Sequence, residues 1–303
     1  MSWSEERLLA GLRRRERAGV LRTELGHDAA ALDLGGRPVV CVDATVEGVH
    51  VESGERPAAF ASKAVLRTLS DLAASAATPR ALLLGLRAPE DAPEPRLRAL
   101  LRGVERTGLR WGCPLVGGDC TAAPGPIGLT VTALGTLASG VRPVSRAAGE
   151  EGQLLVVTGP LGGSRLGRHL RPVPRLAEGE ALARAGVRCF MDVSDGLARD
   201  AARLAATAGV GLELDLAAVP LHRDARRAAR ASARSALEHA LHDGEDHELL
   251  AVLPPRTWGR LSGRPEFAAS RVVGRACAGR GVWLLDGGVR RRWDSAGGWT
   301  HGE

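Results

Sequence analysis

The sequence predicts an α/β protein of two domains, in which mixed sheets pack against helices as α+β layers. Its 303 residues exceed a typical single core and suit two domains of roughly 150 residues each. Strand-like runs and helical patterns mix in both halves, and Ile127–Leu137 alternates apolar and polar residues as a half-buried antiparallel strand does. A polar break at Arg146–Gly152 separates the halves. We therefore predict an N-terminal domain over 1–146 and a C-terminal domain over 147–303.

The first half carries one arginine-rich amphipathic pattern and then a mixture of strands and helices. The amphipathic pattern predicts a helix over Glu5–Val20. Apolar and β-branched runs predict strands at Pro38–Asp43, Leu82–Leu86, Leu115–Val116 and Ile127–Leu137. Apolar residues at helical spacing predict helices at Ala59–Ala77 and Pro95–Thr107.

The second half repeats this mixture without an internal sequence repeat. Apolar runs predict strands at Leu154–Thr158, Val210–Leu214, Glu248–Leu253 and Val282–Leu285, and a further short run ends at Asp192. Helical spacing predicts helices at Arg175–Ala185, Leu197–Ala208 and Arg223–Leu241. This mixture fits α+β layers better than a doubly wound parallel sheet.

Composition excludes several classes of protein. The formal net charge is +6, and every basic residue apart from Lys63 and the histidines is arginine. No aromatic interleaving, helix-turn-helix or zinc-finger pattern accompanies this charge, so we expect no nucleic-acid partner. No apolar run reaches the roughly 18 to 20 residues of a membrane span. The five cysteines are dispersed without a C-x-x-C pair. We expect a cytoplasmic protein with reduced cysteines and no membrane partner.

The segment Phe190–Leu197 is the most informative part of the chain. Asp192 and Asp195 bracket Ser194 where an apolar strand gives way to a glycine and then to a helical pattern. Carboxylates at a strand-to-helix junction can gather outside a rigid sheet, and hard divalent cations prefer such oxygen ligands. Taken alone, the same pattern also fits a simple helix N-cap.

Further acidic residues favour one shared cation site over a set of separate helix caps. Four more acidic junctions occur, at Asp28, Asp43, Asp119 and the segment Gly244–Glu248. Asp71 interrupts a largely apolar helix, although it could merely pair with Arg67 one turn earlier. Carboxylates are costly to bury unless they are paired or bound to metal. Together these residues favour a polyphosphate site with magnesium, while a cap or turn role stays open for each one alone.

Familiar nucleotide and hydrolase motifs are missing from the sequence. No G-x-x-x-x-G-K-[ST] phosphate loop, G-x-S-x-G elbow or H-E-x-x-H pair occurs. The glycine-rich stretch Gly159–Ser164 follows a strand and could cradle phosphate, or be a turn without such a role. A nucleotide would therefore be bound through carboxylates and metal.

An ordered set of motifs carries a family resemblance from about Leu25 to the C-terminus. The set is Gly26-His27-Asp28-Ala29-Ala30, Val42-Asp43-Ala44-Thr45-Val46-Glu47-Gly48-Val49-His50, Leu69-Ser70-Asp71-Leu72, Gly117-Gly118-Asp119, Met191-Asp192-Val193-Ser194-Asp195-Gly196-Leu197 and Gly244-Glu245-Asp246-His247-Glu248. It resembles thiamine-monophosphate kinases. The resemblance implies the two-domain aminoimidazole-ribonucleotide synthetase-like fold and a homodimer joined through the N-terminal sheets. It also implies that ATP phosphorylates thiamine monophosphate to thiamine diphosphate with several Mg²⁺ ions.

The resemblance also implies roles for individual residues. Its magnesium ligands would be Asp28, Asp43, Asp71, Asp119, Asp192 and Asp195. Its ATP contacts would be Gly118, Asp119, Arg146 and Ser194, with the C-terminal domain completing the nucleotide and substrate site. Asp43, Asp71, Asp119 and Arg146 would serve catalysis. The thiamine substrate would contact His50, Glu245 and Trp299, the last through a looser match.

Departures from the family pattern leave alternatives open. His27 replaces a usual aspartate, and Cys41 and Val42 replace small hydroxyl residues before Asp43. The 159–175 segment is shorter than usual. The alternatives are a synthetase that uses ATP on another small substrate and a non-catalytic nucleotide-binding dimer.

Overall fold

The computed structural model describes residues 32–293, which form two compact units. Residues 32–72 and 77–139 belong to the first unit, and residues 73–76 and 140–293 belong to the second. The boundary at 146/147 stays a prediction.

Some sequence-based predictions lie outside the described residues. These are the helix at Glu5–Val20, His27, Asp28 and Trp299.

The first unit contains a four-stranded mixed sheet with the order β1-β4-β2-β3. Its strands are β1 (Arg37–Val46), β2 (Ala77–Ala88), β3 (Leu115–Ala122) and β4 (Gly128–Leu137). The β1–β4 and β4–β2 pairs are antiparallel, and the β2–β3 pair is parallel. The half-buried antiparallel strand predicted at Ile127–Leu137 is therefore confirmed, since β4 lies between two antiparallel neighbours.

Two helices build the core of the first unit, α1 (Pro57–Ala74) and α2 (Glu94–Arg110). Helix α1 is buried on nearly all sides, which explains its largely apolar sequence. The helices pack closely at Gly103, where an added Cβ would come within 2.6 Å of the Ala61 Cβ. The side chains of Cys41, Asp43 and Thr45 alternate along β1 with its exposed ones.

The other face of this sheet is open in the described chain. Val40 and Val42 on β1 are 67% and 61% exposed, and Thr130 on β4 is exposed beside them. Leu83 on β2 is half-buried. Around Val40 and Val42 this face carries apolar and neutral side chains, which is unusual for a solvent surface because antiparallel sheets usually carry polar residues there. A charged residue of the same face, Asp119, lies on the edge strand β3.

The second unit is built on a seven-stranded sheet with the order β11-β10-β7-β9-β5-β8-β6. The strands are β5 (Leu154–Val157), β6 (Cys189–Asp192), β7 (Gly211–Asp215), β8 (Leu249–Leu253), β9 (Arg271–Cys277), β10 (Gly281–Asp286) and β11 (Val289–Arg292). Only the β10–β7 pair is parallel among these described strands.

Helices cover both faces of this second sheet. They are α3 (Leu176–Arg184), α4 (Leu197–Ala208), α5 (Arg223–Ala231), α6 (Ala236–His242) and α7 (Pro255–Leu261). One core cluster joins Leu155 and Met191 to Leu204 of α4. A second cluster joins Val156 and Phe190 to α3 and α7. Strands β5, β6, β7 and β8 are thus largely buried on both sides, which is why they appear as continuous apolar runs.

The prediction of α+β layers with mixed sheets is confirmed, while several element boundaries differ. The helix predicted over Arg223–Leu241 is two helices, because Ser235 caps α6 and Glu238 completes the capping box. Strand β2 starts at Ala77, where the helix was expected to end, and Ala76 takes a left-handed backbone conformation between them. No helix of the described chain is long and apolar enough to cross a bilayer.

Candidate active site

Two predicted metal ligands of the first unit, Asp43 and Asp71, affect one half-buried thiol, that of Cys41. Cys41 lies on the helix-facing side of β1, and its Sγ donates to the carbonyl oxygen of Thr68 in α1 at 3.3 Å. Burial raises the pKa of the Cys41 thiol well above its usual range, and the negative charges of Asp71 and Asp43 raise it further. The packing of β1 on α1 therefore brings Asp43 and Asp71 to the same place.

Arg67 on α1 already engages this acidic group. Its Nη2 lies 3.2 Å from Oδ1 of Asp43, and its Nη1 donates to the carbonyl oxygen of Ala44 at 3.2 Å. The sequence suggested Arg67 only as a neighbour of Asp71. Its ion pair with Asp43 bridges helix and strand, a contact that helical spacing alone could not predict.

Gly118 and Asp119 lie on β3, at the other edge of the sheet. Gly118 shares a register row with Asp43 and Asp119 lies in the next row, so the two carboxylates point to opposite faces. Asp119 is exposed, and its Oδ2 accepts from Thr121 Oγ1 at 2.7 Å. An added Cβ at Gly118 would overlap the carbonyl oxygen of Leu84, so close strand packing alone requires glycine there.

His50 lies in the turn that follows β1. Its Nδ1 accepts the backbone N–H of Val46 at 3.1 Å, which fixes the orientation of the ring. Its carbonyl oxygen accepts from the Nζ of Lys63 at 2.5 Å. Lys63 is fully buried in α1, so it ties this turn to the core of the first unit.

In the second unit, Asp192 ends β6, and Ser194 and Asp195 lie on the loop between β6 and α4. A residue that the sequence did not single out, Asp200 in the first turn of α4, holds this loop. Its Oδ2 accepts the backbone N–H groups of Ser194 and Asp195, each at 2.9 Å. Arg203 contacts both Asp195 and Asp200. The side chain of Asp200 in α4 therefore fixes the conformation of the loop.

The Asp200 carboxyl is fully buried, and this has an electrostatic consequence. Desolvation raises its pKa from 3.8 to about 7, and the charges of Asp192 and Asp195 add to the rise. The backbone hydrogen bonds and Arg203 act in the opposite direction. The sequence gives only one indication of this role for Asp200, a carboxylate in the first turn of a predicted helix. A carboxylate that caps an exposed helix would give the same pattern.

The segment Gly244–Glu248 is backbone-strained and pairs with the same loop. Glu245 and His247 have positive φ values of 53° and 54°, which non-glycine residues rarely adopt. Glu245 donates its N–H to the carbonyl oxygen of Ser194 at 2.7 Å, and His247 Nδ1 lies 3.3 Å from Asp192 Oδ2. Glu245, Ser194 and Asp192 are thus brought together. Strain that is maintained by such contacts is common at functional sites.

The remaining acidic residues of this segment brace other parts of the second unit. Both carboxylate oxygens of Asp246 accept the N–H of Gly162 at 3.0 Å, and Arg168 donates to Asp246 at 2.7 Å. Burial raises the pKa of Asp246 to about 6. Glu248 accepts from Thr158 Oγ1 at 2.6 Å and pairs with Arg175.

The glycine-rich stretch Gly159–Ser164 uses its amides internally. Gly162 donates to Asp246, and Gly163 donates to Asp243 Oδ2 at 2.9 Å. These amides are therefore not available to cradle a phosphate, and the turn interpretation of this stretch is favoured.

Arg146 lies on an exposed loop that is attached to β6. Its carbonyl oxygen accepts from Cys189 Sγ at 3.3 Å, and Ser145 donates its N–H to the carbonyl oxygen of Arg188 at 2.8 Å. The backbone is anchored while the guanidinium faces solvent. This leaves the Arg146 side chain accessible to an anion.

The donor set suits magnesium. Among residues 32–293, no three His, Cys, Asp or Glu side chains are grouped closely enough to form a complete metal site. Asp43 and Asp71 nevertheless both act on the half-buried Cys41 thiol, and Arg67 offsets the charge of Asp43. Their oxygens are the ligand type that magnesium prefers. The site roles assigned to individual residues stay predictions.

Comparisons with known proteins agree on one family. The AIR synthase related protein N-terminal domain matches residues 26–137, and the corresponding C-terminal domain matches residues 128–280. The thiamine-monophosphate kinase of Rhodopirellula baltica is 35% identical over 92% of this chain and 91% of its own. The structure of AaThiL complexed with AMPPCP and TMP is 28% identical, with a TM-score of 0.78 over 87% of each chain.

A second solved structure, thiamine-monophosphate kinase from Stenotrophomonas maltophilia, is 29% identical with a TM-score of 0.77, covering 94% of this chain and 97% of its own. Both units of the fold and nearly the whole chain are therefore matched. The chain belongs to the thiamine-monophosphate kinase family of the AIR synthase related proteins.

Proposed function

We propose that this protein transfers the γ-phosphoryl group of ATP to thiamine monophosphate, giving thiamine diphosphate. The observation that carries the proposal is the packing of α1 on β1, where Arg67 pairs with Asp43 and Cys41 bonds to Thr68, so that the acidic residues of both elements lie on one side of the sheet in a chain whose family shares this activity by name. The relative AaThiL was solved with AMPPCP and TMP, which supports ATP as the co-substrate.

The chemistry suits a site without a general base. The attacking atom is a phosphate oxygen, which is already ionised near neutral pH. The main obstacle is the mutual repulsion of two polyanions. Magnesium, when bound, would bridge the phosphates and neutralise their charge. Its proposed ligands are Asp28, Asp43, Asp71, Asp119, Asp192 and Asp195.

Other residues would position the nucleotide. The backbone N–H of Ser194 is donated to Asp200, so the Ser194 hydroxyl is the group that remains for ATP. The exposed guanidinium of Arg146 suits a phosphate contact, because arginine binds phosphate oxygens through a planar fork of donors. Gly118 and Asp119 are proposed to complete the ATP contacts.

The substrate carries a cationic thiazolium ring, which a carboxylate would stabilise. Glu245 is half-buried on its strained segment and is our candidate for this role. We propose that His50, with its ring orientation fixed by Val46, contacts the substrate as well. Trp299 is the third proposed contact, through its aromatic face.

We also propose a cytoplasmic homodimer. The open face of the first sheet supports this, because Val40 and Val42 expose apolar surface that a second copy would cover. All five cysteines are free, as expected in a reducing compartment.

The test is thiamine diphosphate formation from protein, Mg-ATP and thiamine monophosphate, read by chromatography. We expect Asp71→Asn to lower the rate by about 10² to 10³, as loss of electrostatic stabilisation typically does. Its melting temperature without nucleotide should stay unchanged or rise, because one of two repelling charges is removed. Asp91→Asn, on an exposed turn of the same unit, is the matched control.

Two results would contradict the proposal. An active but destabilised Asp71→Asn protein would show that Asp71 serves a structural pair. ATP hydrolysis without thiamine diphosphate would indicate a synthetase that acts on another substrate.

A further inference from the structure

A serine, a histidine and an aspartate form a linear hydrogen-bonded array between α5 and α6. Ser232 Oγ lies 2.8 Å from His239 Nε2, and His239 Nδ1 lies 2.9 Å from both carboxylate oxygens of Asp243. None of the three residues belongs to the site proposed for phosphoryl transfer. Their order of hydroxyl, imidazole and carboxylate is that of an activated nucleophile.

Local structure explains why the three side chains align. Helix α5 ends at Ala231, and Ser232 follows in an extended conformation with φ −137° and ψ 169°. His239 and Asp243 are four residues apart, and Asp243 keeps helical backbone angles, so both lie on one face of the α6 turn. The chain reversal between the helices then brings Ser232 opposite the imidazole.

The carboxylate fixes the direction of the hydrogen bonds. An ionised carboxylate only accepts, so His239 Nδ1 must carry the proton that it shares with Asp243. In the neutral ring Nε2 is then an acceptor, and the Ser232 hydroxyl donates to it. Asp243 is held in turn by the N–H of Gly163 at 2.9 Å and faces the guanidinium of Arg234 at 3.8 Å.

Burial directs the reactivity of this array towards one atom. The side chains of His239 and Asp243 are only 10% and 11% exposed, whereas Ser232 is exposed to solvent. The imidazole of His239 is shielded from solvent, and Ser232 is the exposed end of the array. An electrophile can therefore approach the serine oxygen while the imidazole accepts the serine proton.

We propose that Ser232 is a nucleophilic serine that takes an acyl group from small activated esters. In this step the bond from Ser232 Oγ to the ester carbonyl carbon forms, and the bond from that carbon to the leaving oxygen breaks. The hydroxyl proton passes to His239 Nε2 and then to the departing oxygen, so the products are acyl-serine and an alcohol or phenol. Asp243 stabilises the imidazolium that exists in between.

The test uses p-nitrophenyl acetate, with peptide mass mapping of the acetyl group over time. Ser262, exposed at the end of α7 and without a histidine hydrogen bond among the described residues, is the internal reference. We expect Ser232 to be acetylated at least about tenfold faster than Ser262, since a positioned general base typically raises the rate by about 10² to 10⁴. Lysine background is small, because Lys63 is the chain's single lysine and is fully buried.

Variants separate activation from a structural link between the helices. His239→Gln should reduce acetylation of Ser232 to the rate of Ser262, and Ser232→Ala should abolish the label at that peptide. Thiamine diphosphate formation should be unchanged in Ser232→Ala, so this proposal and the proposed function fail independently. Equal rates at Ser232 and Ser262 in the wild-type protein would overturn the proposal, as would a folded His239→Gln protein with unchanged labelling.

Discussion

The buried carboxyl of Asp200 makes the stability of the second unit depend on pH. Both of its backbone hydrogen bonds hold the loop that carries Ser194 and Asp195. Its pKa is raised from 3.8 to about 7, chiefly by burial. A folded-state pKa above the unfolded value means that the folded protein binds a proton between about pH 4 and 7 that the unfolded chain has already lost. Stability from this group therefore falls as pH rises through that window.

The size of the effect follows from the difference between the two pKa values. One pKa unit corresponds to ~1.4 kcal/mol. With a pKa of 3.8 in the unfolded chain and about 7 in the folded protein, Asp200 lowers the free energy of unfolding by about 2 to 3 kcal/mol between pH 5 and pH 8. Asp200→Asn removes the titration and keeps an oxygen that can accept both loop amides. The free energy of unfolding of the wild-type protein minus that of the variant should thus be larger at pH 5 than at pH 8 by this amount.

The assay is urea denaturation of both proteins at pH 5 and pH 8, followed by tryptophan fluorescence. Trp258, Trp283 and Trp293 lie in the second unit and report on its unfolding. Asp286→Asn, at the exposed end of β10 in the same unit, is the control. A wild-type-to-variant difference that stays constant within about 0.5 kcal/mol from pH 5 to pH 8 would refute the reasoning.

Three further predictions concern the dimer, the glycine-rich turn and the strained segment. Val42→Arg should convert a dimer to a monomer in light scattering. Val289→Arg, at a similarly exposed valine of the second unit, should stay dimeric. If both variants are dimeric, the open sheet face is not the dimer interface. Gly163→Ala should destabilise the protein by at least about 2 kcal/mol more than Gly209→Ala. Both glycines have φ near +70°, but only a Cβ at position 163 overlaps neighbouring backbone. Equal decreases in melting temperature for the two variants would contradict this. Glu245→Gly should leave stability unchanged or raise it by up to about 1 kcal/mol, yet raise the KM for thiamine monophosphate more than that for ATP; equal changes in both KM values would argue against a substrate contact.

The sequence predicted the element types well where periodicity was strong. The strands of both sheets that carry continuous apolar or alternating runs were expected, and the mixed α+β arrangement is confirmed. Strands β9 and β11 were not predicted, because Gly274 and Arg275 interrupt the short apolar run of β9 and three of the four residues of β11 are arginines. The break after α5 was also missed, since a capping box at Ser235 and Glu238 lies inside a segment with good helical spacing.

The candidate site was predictable as a list of residues but not as a set of contacts. The motif spacing indicated the family, which the comparisons confirmed. It could not distinguish acidic residues that face a ligand from those that brace the fold. Asp246 and Gly162 are 84 residues apart in sequence, and Glu248 and Thr158 are 90 apart, so their pairing depends on the tertiary fold.

The bracing carboxylates explain how a strained segment persists beside the proposed site. Left-handed backbone at Glu245 and His247 costs roughly 1 to 2 kcal/mol for each residue. The buried carboxylates of Asp246 and Glu248, on either side of His247, are each held by an arginine and by a backbone or hydroxyl donor. Removing the arginine would leave a buried carboxylate without its opposite charge, which costs more than the strain. The segment therefore keeps the conformation in which the backbone of Glu245 bonds to the loop of Ser194.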